Sequence, residues 1–136
     1  MANNKTTTLS QRWLNHYFRG HVGGTVLPQP TALYLSLHSA SPGEGGSAAN
    51  ELSGNGYART QIFFDDAPTV DTIANTQPVV FPRSTGAWAT ATDFGIWDAP
   101  TGGSCGYYGP LQAPIVVDQA NRKVEFEPGD ITVQET

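Results

Sequence analysis

The sequence predicts a mainly β protein: an antiparallel β-sandwich or barrel-like domain with one short N-terminal α-helix. Three observations carry that prediction. Residues Ala91 to Leu111, ATDFGIWDAPTGGSCGYYGPL, hold two alternating, aromatic-rich runs joined by a Gly/Pro-rich reversal, the pattern of a β-hairpin. The 136-residue chain contains 15 Gly and 10 Pro, above average shares of about 7% and about 5%, while its charged fraction is 14% against a typical ~25%. Roughly eight short apolar or alternating segments recur at near-regular spacing, as they do in sandwiches and barrels. The length suits a single domain, residues 1–136, with one core that buries roughly two-thirds of the unfolded surface.

The helix comes first and is expected over about 8–19. Thr8 stands as N-cap with Gln11 three residues on, a capping-box spacing. Leu9, Trp13 and Tyr17 recur every fourth residue, as do Leu14 and Phe18, so together they form one broad apolar stripe. Asn15, His16 and Arg19 fall largely outside it. Gly20, followed by Gly23-Gly24, ends the run. A helix this short is not stable alone in water, so its stripe is expected to dock on the β core, with another molecule as the alternative surface.

The β domain is expected over about 30–135. Pro28 and Pro30 stiffen the approach to a first strand, Thr31 to Ser39, in which Leu33, Leu35 and Leu37 alternate with Tyr34, Ser36 and His38. A long Gly/Ser-rich loop, Ala40 to Gly56, follows; loops beyond ~12–15 residues are uncommon and often functional. Tyr57 to Phe64 reads as a second strand, broken by Asp65-Asp66-Ala67-Pro68. A weaker segment, Val70 to Asn75, precedes the short strand Val79-Val80-Phe81, which Pro82 ends. Ala87 to Thr92 leads through Trp88 into the hairpin, where Phe94 and Ile96 share one face and Asp93, Gly95 and Trp97 the other. Pro100 to Gly103 supplies the positive-φ turn, and Cys105 to Gly109 returns. Ile115 to Val117, Lys123 to Glu127 and Asp130 to Gln134 add three more short strands, separated by Asn121 and by Pro128-Gly129.

Charge and cysteine content exclude several classes. The formal charge is −5 and the seven Lys and Arg are scattered, so no basic face displaces counterions from a nucleic acid. A single Cys builds no internal disulfide framework, and one Cys with three scattered His gives no zinc spacing. No run approaches the ~20 apolar residues of a membrane span, and the opening residues lack the apolar stretch of a signal peptide. Synthesis in a cytoplasm, without a membrane partner, is the expectation.

The residues that could carry chemistry are better explained by structure. Asp65 and Asp66 diverge on a strand and stand where Asp closes a turn, which outweighs a calcium site. Asp93 and Asp98 flank the Phe-Gly-Ile-Trp strand, and a turn or edge role outweighs a glycosidase pair. His16 lies on a helix flank, His21 in a Gly-rich turn, and His38 faces away from the leucines with which it alternates; the chain has no Gly-x-Ser-x-Gly elbow to join them in a triad. Cys105 is expected to be a small buried thiol. Gly54-Asn55-Gly56 opens no helix, so it fails as a dinucleotide fingerprint and reads as a tight lead into Tyr57. Trp13, Trp88, Trp97, Tyr34, Tyr57, Tyr107 and Tyr108 are core or subunit-contact anchors before they are a sugar platform. No catalytic, cofactor-binding or metal-ligating residue is assigned.

With these residues in view, the chain resembles a family of small tailed-bacteriophage virion proteins labelled tail-fibre or minor tail proteins. The likeness runs in order through Trp13-Leu14-Asn15-His16-Tyr17-Phe18-Arg19-Gly20, Pro30 to His38, Pro42-Gly43-Glu44 and, most specifically, Glu51-Leu52-Ser53-Gly54-Asn55-Gly56-Tyr57-Ala58-Arg59. It continues through Phe81-Pro82, Trp88, Phe94 to Asp98, Gly102-Gly103 and Tyr107 to Leu111. The resemblance implies a non-enzymatic virion protein made in the bacterial host cytoplasm. Its partners are expected to be capsid or tail subunits and further copies of itself in a symmetric oligomer, with a trimer as one form. Head decoration as a cement protein is the rival location. A carbohydrate-binding module that recognises a host surface glycan is the alternative of another class. The expected contact residues are Trp13, Tyr17 and Phe18 on the helix and Glu51, Tyr57 and Arg59 around the long loop.

Overall fold

A computed structural model of the chain describes residues 4–19, 22, 29–64 and 71–135. The expectations for Gly20, His21, Gly23-Gly24, Pro28, Asp65 and Asp66 lie outside the described residues. In chain order the elements are β1 (Asn4–Lys5), α1 (Thr7–Arg19), β2 (Leu33–His38), β3 (Thr60–Ile62), β4 (Thr72–Ala74), β5 (Val79–Val80), β6 (Ala91–Trp97), β7 (Cys105–Ile115), β8 (Glu125–Phe126) and β9 (Thr132–Gln134). The fold is mainly β, as composition and turn spacing require.

Strands β1-β7-β6-β2-β3 form one five-stranded antiparallel sheet, and β4-β9 and β5-β8 form two small antiparallel ribbons. The leucine alternation sets the register at the centre of the sheet. Leu35 pairs with Ile96 and Leu37 with Phe94, so one face is apolar; Ser36 pairs with Gly95 and His38 with Asp93 on the other. The apolar face meets the ribbons in a sandwich-like arrangement. Leu35, Leu37, Phe94, Phe81, Val79 and Ile131 are all essentially inaccessible there, together with Ile62, Trp88, Val117, Val124 and Val133. Burying an aliphatic or aromatic side chain of this size contributes about 1.5–3 kcal/mol before conformational entropy is counted.

Several elements differ from the sequence expectation. Residues Ile115 to Val117 are the end of β7 and its continuation rather than a separate strand, because β6 pairs with β7 as far as Ala91↔Ile115. The Tyr57 to Phe64 strand contracts to β3 because Tyr57 and Arg59 turn inward to the polar cluster described below. β1 adds a strand that two polar residues gave no reason to expect. It also moves the helix cap. Thr6, directly after β1, is fully buried, and it accepts from the Leu9 N–H on Oγ1 at 3.3 Å. Its hydroxyl donates to the Cys105 carbonyl at 2.7 Å and its own N–H to the Gly106 carbonyl at 2.8 Å. Thr6, not Thr8, is therefore the N-cap, and it ties the start of α1 to β7.

Candidate functional site

The polar face of the sheet carries a buried cluster built from three separate stretches. Residues 50–52 run antiparallel to the end of β2, with Ser39 N–H donating to Asn50 O at 2.8 Å, Leu52 N–H to Leu37 O at 3.0 Å and a bridge between His38 and Glu51. This brings Glu51 to Arg59. The Arg59 guanidinium donates from Nε to Glu51 Oε2 at 2.9 Å and from Nη2 to Oε1 at 2.8 Å, a bidentate pair with side chains only 5% and 13% exposed. Tyr57 Oη donates to Glu51 Oε2 at 2.9 Å and accepts from the Leu37 N–H at 3.0 Å. Burial, followed by the neighbouring Glu51 carboxylate, holds the Tyr57 phenol far above its ordinary range, so it stays a donor. Arg59 Nη1 reaches onward to the carbonyls of Ala99 at 3.0 Å and Gly102 at 2.8 Å, in the turn between β6 and β7.

Next to it lies a second knot. Trp97 Nε1 donates to Ser36 Oγ at 2.8 Å, and Ser36 Oγ lies 2.7 Å from His38 Nε2 and 3.2 Å from the Gly95 carbonyl. The set is satisfied when His38 Nε2–H and Trp97 both donate to Ser36 and the hydroxyl donates to Gly95, which leaves His38 Nδ1 as an enclosed acceptor without a partner. Burial lowers the His38 pKa, Arg59 adds to that, and Glu51 and Asp93 oppose it. Ser36 and His38 have the spacing of a nucleophile and its base, yet both are 0% exposed and the hydroxyl is already committed on every side. Their role is to lock β2 to β6. Gly95 makes the knot possible: a Cβ there would stand 2.8 Å from both Ser36 Oγ and Trp97 Nε1.

The other expected residues resolve in the same way. Asp98 Oδ1 accepts from the Ser104 N–H at 2.8 Å and caps the turn, while Asp93 Oδ1 accepts from Thr92 Oγ1 at 2.7 Å. Cys105 is 3% exposed and burial raises its thiol pKa to about 11. Trp88 and Trp97 are 7% and 3% exposed, so neither offers a face to a sugar. Gly54, Asn55 and Gly56 all adopt positive φ, and the Asn55 carbonyl accepts from Trp88 Nε1 at 2.8 Å, fastening the loop over the core. Among the described residues no group of three or more His, Cys, Asp and Glu is placed to hold a metal ion, and no helix is long and apolar enough to cross a membrane.

The surface feature that stands out is α1. The helix buries none of its residues, contrary to the expectation that its stripe docks on the β core. Only its first turns are anchored. Leu9 sits over Gly106, where a Cβ would meet Leu9 Cδ2 at 3.1 Å, and Arg12 donates to Ser104 Oγ at 3.3 Å and lies 3.8 Å from the Asp98 carboxylate. Beyond that the stripe faces outward: Trp13 is 47% exposed, Leu14 53%, Tyr17 67% and Phe18 61%. The rings are arranged against one another, Trp13 and Tyr17 with centroids 6.1 Å apart and Tyr17 and Phe18 edge-on at 4.9 Å. An apolar cleft of about 450 Å³ runs beneath the anchored turns, between Leu9 and Arg12 of α1 and Leu33, Trp97, Cys105 and Tyr107 of the sheet.

Of the residues expected to make contacts, the structure puts Trp13, Tyr17 and Phe18 on this outer face and joins Glu51, Tyr57 and Arg59 within the chain. Sequence reasoning missed Thr6, Ser36 and Gly95. The shared period of two in β2 and β6 was the signal for the last two, since it sets small and polar residues opposite one another.

No curated protein matches the chain. A family model described as Podophage GP4 fiber I protein gp80 matches residues 4–134 of the 136, which takes in β1, α1 and the buried polar cluster. With nearly its whole length covered, the chain belongs to this family of phage fibre proteins and is a tail-fibre-like virion protein.

Proposed function

We propose that the protein is a non-enzymatic structural subunit of the phage fibre, held in the particle by protein–protein contacts made through the outward face of α1. The observation that carries this reading is the exposure of Trp13, Leu14, Tyr17 and Phe18 on a helix whose other end is tied down by Thr6, Leu9 and Arg12. A stripe of this size on one helix is the usual anchor of a helix laid in a partner's groove. Glu51, Tyr57 and Arg59 serve the contact indirectly, by fixing the long loop and the β6–β7 turn on which Arg12 rests. The neighbours are other virion proteins, together with further copies of the chain in a symmetric oligomer. Membership of a fibre family supports attachment at the tail over cementing of the head.

The test is Trp13→Ala. The folded variant should be depleted from purified particles while its thermal unfolding stays close to that of the native chain, because Trp13 is already half exposed. Full incorporation of folded Trp13→Ala would remove α1 from the contact.

A further inference from the structure

The two ends of the chain meet at the edge of the sheet, and one side chain joins them. Glu135 belongs by its backbone to the β4–β9 ribbon, where its N–H donates to the Asp71 carbonyl at 2.8 Å. Its side chain crosses to the five-stranded sheet. Oε1 pairs with Lys5 Nζ of β1, and Oε2 accepts from the Tyr107 hydroxyl of β7. Both carboxylate oxygens are spent on tying the ribbon to the outermost strands of the sheet.

What Glu135 holds there is thinly attached. β1 contributes two paired residues, Asn4↔Tyr108 and Lys5↔Tyr107, and α1 buries none of its residues. Thr6 and Leu9 key into β7 at Cys105 and Gly106, and the Thr7 N–H donates to the Glu44 carbonyl at 2.9 Å. Two clefts open along this contact, the one of about 450 Å³ already described and another of about 290 Å³ between Leu9, Trp13 and Glu135. The central strands are the opposite case. Leu35, Leu37 and Phe94 are fully buried, on strands paired along both edges. Local stability follows buried apolar contact, so residues 4–19 and the sandwich stand at opposite ends of its range.

We infer that residues 4–19 form a releasable arm, which lifts from β7 as one unit while the sandwich stays folded, and that Glu135 is its latch. β1 and α1 move together because Thr6 serves both: it caps the helix and bonds to β7 directly after the strand. Release carries the aromatic face of α1 off the body and bares the edge of β7 at Cys105 and Gly106. It is a property of the isolated chain, whatever α1 contacts in the particle.

Native-state amide exchange of the full chain in low urea tests this. The Thr6 and Ser10 N–H groups donate to the Gly106 and Thr6 carbonyls at 2.8 Å and 3.0 Å. With intrinsic rates divided out, the two should share one opening equilibrium that barely changes with urea, while amides of β2 and β6 open more steeply. A Thr6 amide with the steep slope of β2 and β6, or a Ser10 amide that opens far more readily than Thr6, overturns the unit. Glu135→Ala should speed exchange at Thr6 about fivefold, and an unchanged rate there overturns the latch. Val79→Ala removes buried volume in the β5–β8 ribbon. It should speed the β2 and β6 amides at least about tenfold and leave Thr6 unchanged. An equal rise at Thr6 ties the arm to global unfolding and overturns its independence; should that variant not fold, the urea slopes of the native chain decide alone.

Discussion

The guanidinium carbon of Arg59 lies 3.9 Å above the ring centroid of Trp97, so one side chain closes a bidentate ion pair with Glu51 and also covers an indole that anchors Ser36. This stacking joins the two polar knots into one. It connects the long loop, the sheet and the β6–β7 turn through a single residue, and a planar guanidinium is the only side chain that can stack and fork together.

Arg59→Ala should therefore cost about 3–5 kcal/mol, because it strands the Glu51 carboxylate at a buried position. Arg59→Lys should recover little of that, since an ammonium cannot reproduce the two parallel bonds to Glu51. Denaturant unfolding of the three proteins measures both effects, and a lysine variant as stable as the native chain would show that charge alone matters here.

Gly95→Ala adds one methyl where Ser36 Oγ and Trp97 Nε1 already stand 2.8 Å away. Overpacking of this kind costs about 1–3 kcal/mol. Pairing the change with Ser36→Gly should return part of the loss in a double-mutant cycle, whereas strictly additive losses would place the strain elsewhere.

His38 makes stability pH-dependent. Burial holds its folded pKa below the ordinary 6.5, so the unfolded chain takes up a proton first as pH falls. The contribution is fully present above about pH 6.5 and is lost progressively as the pH drops toward the lowered folded value. Unfolding free energies between pH 7 and about 5.5, a window above most carboxylate titration, should decline in the native chain and flatten in His38→Gln. Parallel curves for the two proteins would mean that His38 does not titrate in this range.

Thr6→Ala removes the helix cap and the bond to the Cys105 carbonyl at once. The expected cost is about 1–2 kcal/mol, and Thr6→Ser, which keeps the hydroxyl, should lose less. Amide exchange resolves where the loss falls: faster exchange confined to the first turns of α1 and the facing stretch of β7 is the predicted pattern, and a uniform change across the sheet would contradict it.

The alternation of Leu33, Leu35 and Leu37 and the aromatic hairpin were enough to read the central strands, their faces and the antiparallel class, because sheet periodicity is local. The turn glycines were legible for the same reason. β1 and the Thr6 cap were not, since the pairing of Asn4 with Tyr108 joins residues far apart in sequence and nothing in a two-residue polar strand announces it. The helix stripe was legible as a stripe, but its destination depends on which surface remains for it once the sheet has formed. The motif Glu51 to Arg59 was conspicuous in the sequence, yet only three-dimensional closure shows that Glu51, Tyr57 and Arg59 satisfy one another and the turn at Ala99–Gly102.

The central claim is that α1 is the attachment element of a fibre subunit. Imaging intact particles at a resolution that traces side chains tests it most directly. The account predicts this chain on the fibre with Trp13, Tyr17 and Phe18 buried against a neighbouring subunit. Particles in which the same three rings face solvent, or which lack the chain, would contradict it.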